Sequence, residues 1–212
     1  VAGDRADVTL LLPPGVESHS FEPTPADIIK INACDLFLYT GKYMEPWAEK
    51  ILSGMPDAGK ALDVSQGISL DAEEEHHEDD KEEHHDHGGF DPHIWTNPLN
   101  AKIMVQNIAD ALSRADEENQ EFYQTNAKNY LTKLDELDAE FMEIVSTAKR
   151  REIVFGGRFA LHYFAKQYGI SYLAAFDSCS SETEPSVSVI AHIMDEIKEK
   201  QIPVIFYEEL TD

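Results

Sequence analysis

The chain has 212 residues, of which 41 are acidic and 17 basic, a formal charge of −24, and 42% of its residues are hydrophobic. That apolar fraction supports a folded core, while so few lysines and arginines exclude a nucleic-acid phosphate surface and an anionic membrane face, leaving small cations as the natural partners. No apolar run approaches the roughly 20 residues of a membrane-spanning helix and no signal peptide is visible; a strand-like run is already under way at Val8 and another ends just before Asp212, so further sequence is expected at both ends.

In chain order, residues 8–12 read as an apolar strand ended by Pro13-Pro14-Gly15. The loop 16–23 carries His19. Thr24-Pro25 predicts an N-cap followed by proline at the first helical position, with Ile28, Ile29 and Ile31 on one face. A strand at 35–40, a helix at 45–52 with Trp47 and Ile51 inward, and a strand at 61–68 follow. The stretch 71–91 then holds eleven acids, one lysine and His76, His77, His84, His85 and His87. It is too polar to bury surface of its own, which predicts a mobile, solvated loop that gathers metal loosely. It closes on Asp91-Pro92-His93-Ile94-Trp95, where Pro92, Ile94 and Trp95 can pack and hold one imidazole still.

From Pro98 no proline or glycine occurs until Gly156, and Tyr123, Ala127, Tyr130, Leu134, Leu137, Phe141, Ile144 and Ala148 recur at helical spacing. This predicts one long, rigid helix with a packed apolar stripe. Beyond it come a strand at 152–155, a tight turn at Gly156-Gly157, a helix at 158–168 stopped by Gly169, a strand at 170–176, a helix at 185–200 and a strand at 202–207. The fold class is therefore α/β: two lobes of parallel sheet flanked by helices, joined by a long backbone helix, with divisions at 1–97, 98–148 and 149–212.

His19 and His93 both lie in loops after strands, where open α/β sheets place ligands, and could share Zn2+ through neutral imidazoles. His162 shares a helical face with Arg158 and is either a further ligand or a polar residue at the lobe surface beside Tyr163; His192 reads as helix surface. Cys34 sits among apolar residues as a buried thiol, and Cys179 is open as a disulfide partner; neither belongs to a CxxC pair. Catalytic signatures such as HExxH, GxSxG, a P-loop or GxGxxG are absent, Gly156-Gly157-Arg158 is a weak anion-cradle signal, and Glu208-Glu209 reads as a solvated strand end, so an enzyme is not expected.

Leu11-Leu12-Pro13-Pro14-Gly15 through His19, Phe21-Glu22-Pro23-Thr24-Pro25, the acidic histidine-rich insertion, Asp91-Pro92-His93-Ile94-Trp95 and Tyr163-Phe164-Ala165-Lys166-Gln167-Tyr168-Gly169 together resemble the zinc- and manganese-type substrate-binding proteins of bacterial ABC transporters. The resemblance runs through essentially the whole chain. It implies a monomeric, extracytoplasmic receptor, periplasmic or lipid-anchored, which holds one metal ion between two lobes and delivers it to a membrane permease. His19 and His93 fall on its first two ligand positions. The third, five residues before the Tyr of the Tyr-Phe pair, is Arg158 here, and a guanidinium cannot bind a cation. His162 or a residue beyond the chain is then expected to complete the shell. The insertion favours Zn2+ over Mn2+, in keeping with imidazole ligation. Two other readings use the same residues: a metal buffer or store built on the histidine-rich stretch, and a metallohydrolase with an open coordination position at His19 and His93.

Overall fold

Helix α1 (Pro25–Ala33) starts where its sequence demands. The Thr24 side chain accepts from the Asp27 N–H, and the Asp27 carboxylate accepts the Thr24 N–H in return, a reciprocal cap. The computed structural model describes residues 1–72, 89–176 and 185–207. His76, His77, His84, His85 and His87 of the acidic stretch, Cys179 and Glu208-Glu209 lie outside the described residues.

The chain divides into two compact units, 1–69 with 98–138, and 70–97 with 139–212. This differs from the linear division expected from sequence. Residues 70–97 join the C-terminal part because Asp71 and Asp91 hydrogen-bond to side chains more than 70 positions later.

In the first unit α1 is followed by β1 (Phe37–Tyr39), α2 (Pro46–Leu52) and β2 (Ala61–Asp63), then α3 (Pro98–Ala115) and the start of α4 (Gln120–Thr147). β1 and β2 pair in parallel, Phe37 beside Ala61 and Tyr39 beside Asp63. Phe21, Ile31, Phe37, Trp47 and Ala48 form one core, with Phe21 edge-on to Trp47 at 5.2 Å. Leu62, Val64 and Ala111 form a second core, and Val105, Ala109, Ala127 and Leu134 a third. Cys34 packs at the margin of the first, half-buried, with Sγ donating to Ile31 O at 3.1 Å.

Three expectations fail here for visible reasons. Residues 8–12 form no strand, because no described strand lies beside them to share backbone hydrogen bonds; Leu11 and Leu12 pack on the core while Val8 and Leu10 are 77% and 79% exposed. The strand at 61–68 ends at Asp63, whose carboxylate accepts from Ser65 N and Oγ at 2.9 and 2.6 Å and turns the chain. The long helix is two helices. Asp116 breaks it with φ −143°, its Oδ2 accepting from Tyr123 Oη at 2.7 Å and Asn119 Nδ2 at 2.8 Å, so a short carboxylate outcompetes the helical backbone. The apolar stripe is packed at Tyr123, Ala127 and Leu134, but Tyr130 and Ile144 are exposed.

Half-buried Glu45 gives the first unit a pH dependence. Burial raises its carboxyl above the ordinary 4.5; the Thr40 N–H that it accepts opposes this, and Asp63 adds to it. The fold thus prefers the protonated form, a contribution fully present below the unfolded value and lost as pH rises through the folded one. Glu45→Gln keeps an acceptor for Thr40 and should raise Tm relative to the parent near about pH 7.5, with the gain vanishing near about pH 4. Thermal melts followed by circular dichroism check this; an equal offset at both pH values contradicts it.

In the second unit β3 (Glu152–Arg158) and β4 (Ser171–Phe176) pair in parallel around α5 (His162–Tyr168), followed by α6 (Val187–Glu199). Gly169 caps α5 in the left-handed conformation at φ 63°, and Ser186 Oγ caps α6 by accepting from Val189 N. Gly156-Gly157 is not a turn but the irregular part of β3, where the register slips between Phe155 and Arg158. Gly156 N–H donates to Phe206 O at 2.7 Å, which keeps the chain extended and leaves Gly-Gly-Arg inside a strand rather than at a helix N-terminus. Residues 202–207 accordingly contribute a single parallel bridge, Phe155 to Phe206. Val154, Ala175 and Ile193 form one core and Phe159, Ala165 and Ala174 another, while the rings of Phe141, Phe164 and Tyr168 meet edge-on or tilted, at 4.9 to 5.5 Å between centroids. Among the described residues no helix is long and apolar enough to cross a membrane.

Candidate metal centre

His93 is mounted on a turn that its own sequence writes. Two residues upstream, buried Asp91 turns its carboxylate back so that Oδ1 accepts both the His93 N–H and the His93 Nδ1–H at 2.8 Å. An ionised carboxylate has no proton to give, so Nδ1 carries a ring proton, and in a neutral imidazole Nε2 is then the nitrogen with the lone pair. Metal-binding histidines are commonly fixed in this way, by a carboxylate on the other nitrogen. The chain continues as a 3-10 turn, Ile94–Thr96, with Thr96 Oγ1 donating to His93 O at 2.8 Å. Pro92 and Ile94 are buried as the sequence implies; Trp95 is 40% exposed and touches the imidazole edge-on at 5.4 Å.

Asp91 is held in turn. The Tyr163 hydroxyl donates to Asp91 O at 2.8 Å and accepts from Asp71 N at 2.9 Å, while Asp91 N donates to Asp71 O at 3.0 Å. Burial, partly opposed by the Asp71 N–H, pushes the Tyr163 phenol up to about 12, so it stays protonated at neutral pH. The Asp71 carboxylate takes both Lys166 Nζ contacts, at 2.6 and 2.7 Å, and His162 Nε2 at 3.2 Å.

His162 is buried rather than at the surface, and its Nδ1 meets Tyr172 Oη at 3.1 Å. Because Asp71 can only accept, Nε2 of a neutral His162 is the donor and Nδ1 accepts from Tyr172. Arg158 is half-buried at the end of β3, in register with Phe176 of β4, and His192 is exposed on α6.

His19 lies in the first unit, whereas His93 and His162 lie in the second. Its loop is tied on both sides. Trp47 Nε1 donates to Ser18 O at 3.0 Å and Phe21 is buried in the core, while His19 Nε2 stands 3.8 Å from Glu17 Oε1. Among the described residues no three or more His, Cys, Asp or Glu side chains gather as a metal site.

Sequence reasoning found the imidazoles and missed what holds one of them. Asp91 was legible, since Asp-x-His is the spacing at which a carboxylate caps the N–H two residues on. Asp71 and Tyr163 are 92 positions apart, and no local signal joins them.

A family model described as zinc-uptake complex component A, periplasmic (ZnuA), matches residues 1–212. The chain is 37% identical over 217 residues to the high-affinity zinc uptake system protein ZnuA of Bacillus subtilis, covering 99% of this chain and 66% of that protein. It is 34% identical over 212 residues to the zinc-binding lipoprotein AdcA of Streptococcus pneumoniae, covering 99% of this chain but 42% of AdcA. The chain thus spans between about two fifths and two thirds of these relatives. Among solved structures, the Zn(II)-bound ZnuA-like domain of S. pneumoniae AdcA superposes with a TM-score of 0.78 at 32% identity, covering 98% of this chain and 72% of that one.

Proposed function

Because the chain belongs to the zinc-uptake complex component A family, we propose that it is the substrate-binding receptor of an ABC importer, capturing Zn2+ and delivering it to a membrane permease. The family is one of transport receptors rather than enzymes. The observation that carries the reading is the buried Asp91–His93 pair, in which the carboxylate takes Nδ1 and so leaves Nε2 as the nitrogen that would meet a metal. His19 in the first unit is the second proposed ligand. Imidazole ligation suits Zn2+ better than Mn2+, and relatives named as zinc-binding support the same choice.

The two hydrogen bonds of His162 support a bracing role at Asp71 rather than ligation. With Arg158 unable to coordinate, the remaining ligands are to be sought outside the described residues. His76, His77, His84, His85 and His87 are the proposed weak, collecting site. An extracytoplasmic location, periplasmic or lipid-anchored, fits the relatives' names, and a monomeric state is proposed with it.

A zinc competition titration on the full-length protein tests the reading against a buffer or store. Deleting residues 73–87 is expected to leave one tight site and remove the weaker equivalents. Loss of the tight site in that variant would instead make the histidine-rich stretch the main site.

A further inference from the structure

We propose that Tyr163 is a positioning residue for His93, its hydroxyl locking the Asp71–Asp91 backbone pair on which the imidazole is mounted; the inference rests on His93 being a ligand. Two short antiparallel segments meet here, bridged between Ala72 and Phe90 and by the bond from Asp91 N to Asp71 O. In an antiparallel ladder such a residue pair returns a second, direct bond. Here the return path runs through a side chain instead: Asp71 N–H to the Tyr163 oxygen, and the Tyr163 O–H to Asp91 O. One hydroxyl both accepts and donates, so it fixes the spacing and register of the Asp71–Asp91 pair.

Asp91 carries that order forward, because the residue whose carbonyl Tyr163 holds also supplies the carboxylate that orients the His93 ring. Asp71 anchors it from behind. Its carboxylate is gripped by His162 and Lys166, the neighbours of Tyr163 on the same turn of α5, so three residues of one helix brace a single point. Tyr163 is 4% exposed, and water has little access to replace the hydroxyl. Phenylalanine would fill the same space and supply neither bond.

The test compares Tyr163→Phe, His93→Ala and Val154→Ala in the full-length protein. It measures zinc affinity by chelator competition and the metal-free His93 tautomer by ring-nitrogen NMR. Val154→Ala loosens the core of the same unit without touching the network. Tyr163→Phe is expected to weaken zinc binding about 10-fold or more, within the roughly 10–100-fold range for groups standing behind a ligand. It should also turn a single Nδ1-protonated His93 signal into a mixture of tautomers, while Val154→Ala changes neither. Parent affinity and tautomer in Tyr163→Phe, with zinc binding lost in His93→Ala, overturns the positioning role and leaves the ligand assignment standing. Parent affinity in His93→Ala overturns the ligand assignment itself. Equal affinity losses in Tyr163→Phe and Val154→Ala overturn the positioning role as general loosening. Should Tyr163→Phe fail to fold, Asp71→Asn, which weakens the grip of Lys166 and His162, decides the matter: a smaller loss with the same tautomer mixing supports the proposal, and parent behaviour overturns it.

Discussion

Replacing His93 with alanine is expected to abolish the proposed tight Zn2+ site. The residue is 8% exposed and its Nδ1 is held by the Asp91 carboxylate, so the ring is already oriented and a metal would take Nε2 without displacing that bond. Its loss should exceed the roughly 10–100-fold that removal of a supporting group costs, because the donor atom itself is gone. The substitution spares the turn, since the backbone N–H at position 93 still reaches Asp91 Oδ1. Chelator competition on the full-length protein measures the affinity. Thermal melts give a second readout: the parent should gain about 4 kcal/mol at zinc near a thousand times Kd, and the variant should gain almost nothing. A variant that kept parent affinity would remove His93 from the ligand set.

Asp91→Ala is expected to damage both fold and site. The carboxylate is 3% exposed and accepts two N–H groups of His93. Removing it takes that acceptor from both donors in a buried place, at about 1–3 kcal/mol each. Together that is a large share of the roughly 5–15 kcal/mol that a domain has to lose. Zinc affinity should fall about 10–100-fold beyond what lowered stability explains, since the ring loses its orienting partner. Asp91→Asn separates the two effects, because it keeps one oxygen acceptor and loses the charge. Its urea midpoint should lie between those of the parent and the alanine variant, with zinc affinity still reduced. Parent-like affinity in the asparagine variant would mean that the carboxylate's charge does not orient the imidazole.

The legible parts of this fold are those written by neighbours. Thr24-Pro25 announces α1, Gly169 ends α5 in the left-handed conformation, and strand and helix alternate on both sides of the helical stretch, giving two parallel pairs. The illegible parts depend on distant partners. Nothing at Val8 or Leu10 says that no described strand will lie beside them. The break at Asp116 needs Tyr123 seven residues on to take its carboxylate, and neither proline nor glycine marks it. Gly156-Gly157 resembles a turn until Phe206 supplies the carbonyl that keeps it extended. At the site, His93 stood out by its setting, whereas the assignment of 70–97 to the second unit waited for Tyr163.

Asp71 and Asp91 sit side by side, joined by a backbone bond of 3.0 Å and by the shared phenol, so both ends of the intervening chain are fixed whatever connects them. For a flexible connection between fixed ends, each doubling of length costs only about 0.6 kcal/mol. The position is therefore a natural splice point. A fluorescent reporter, an epitope or a chelating peptide of foreign design could replace 73–88 at little expense to folding.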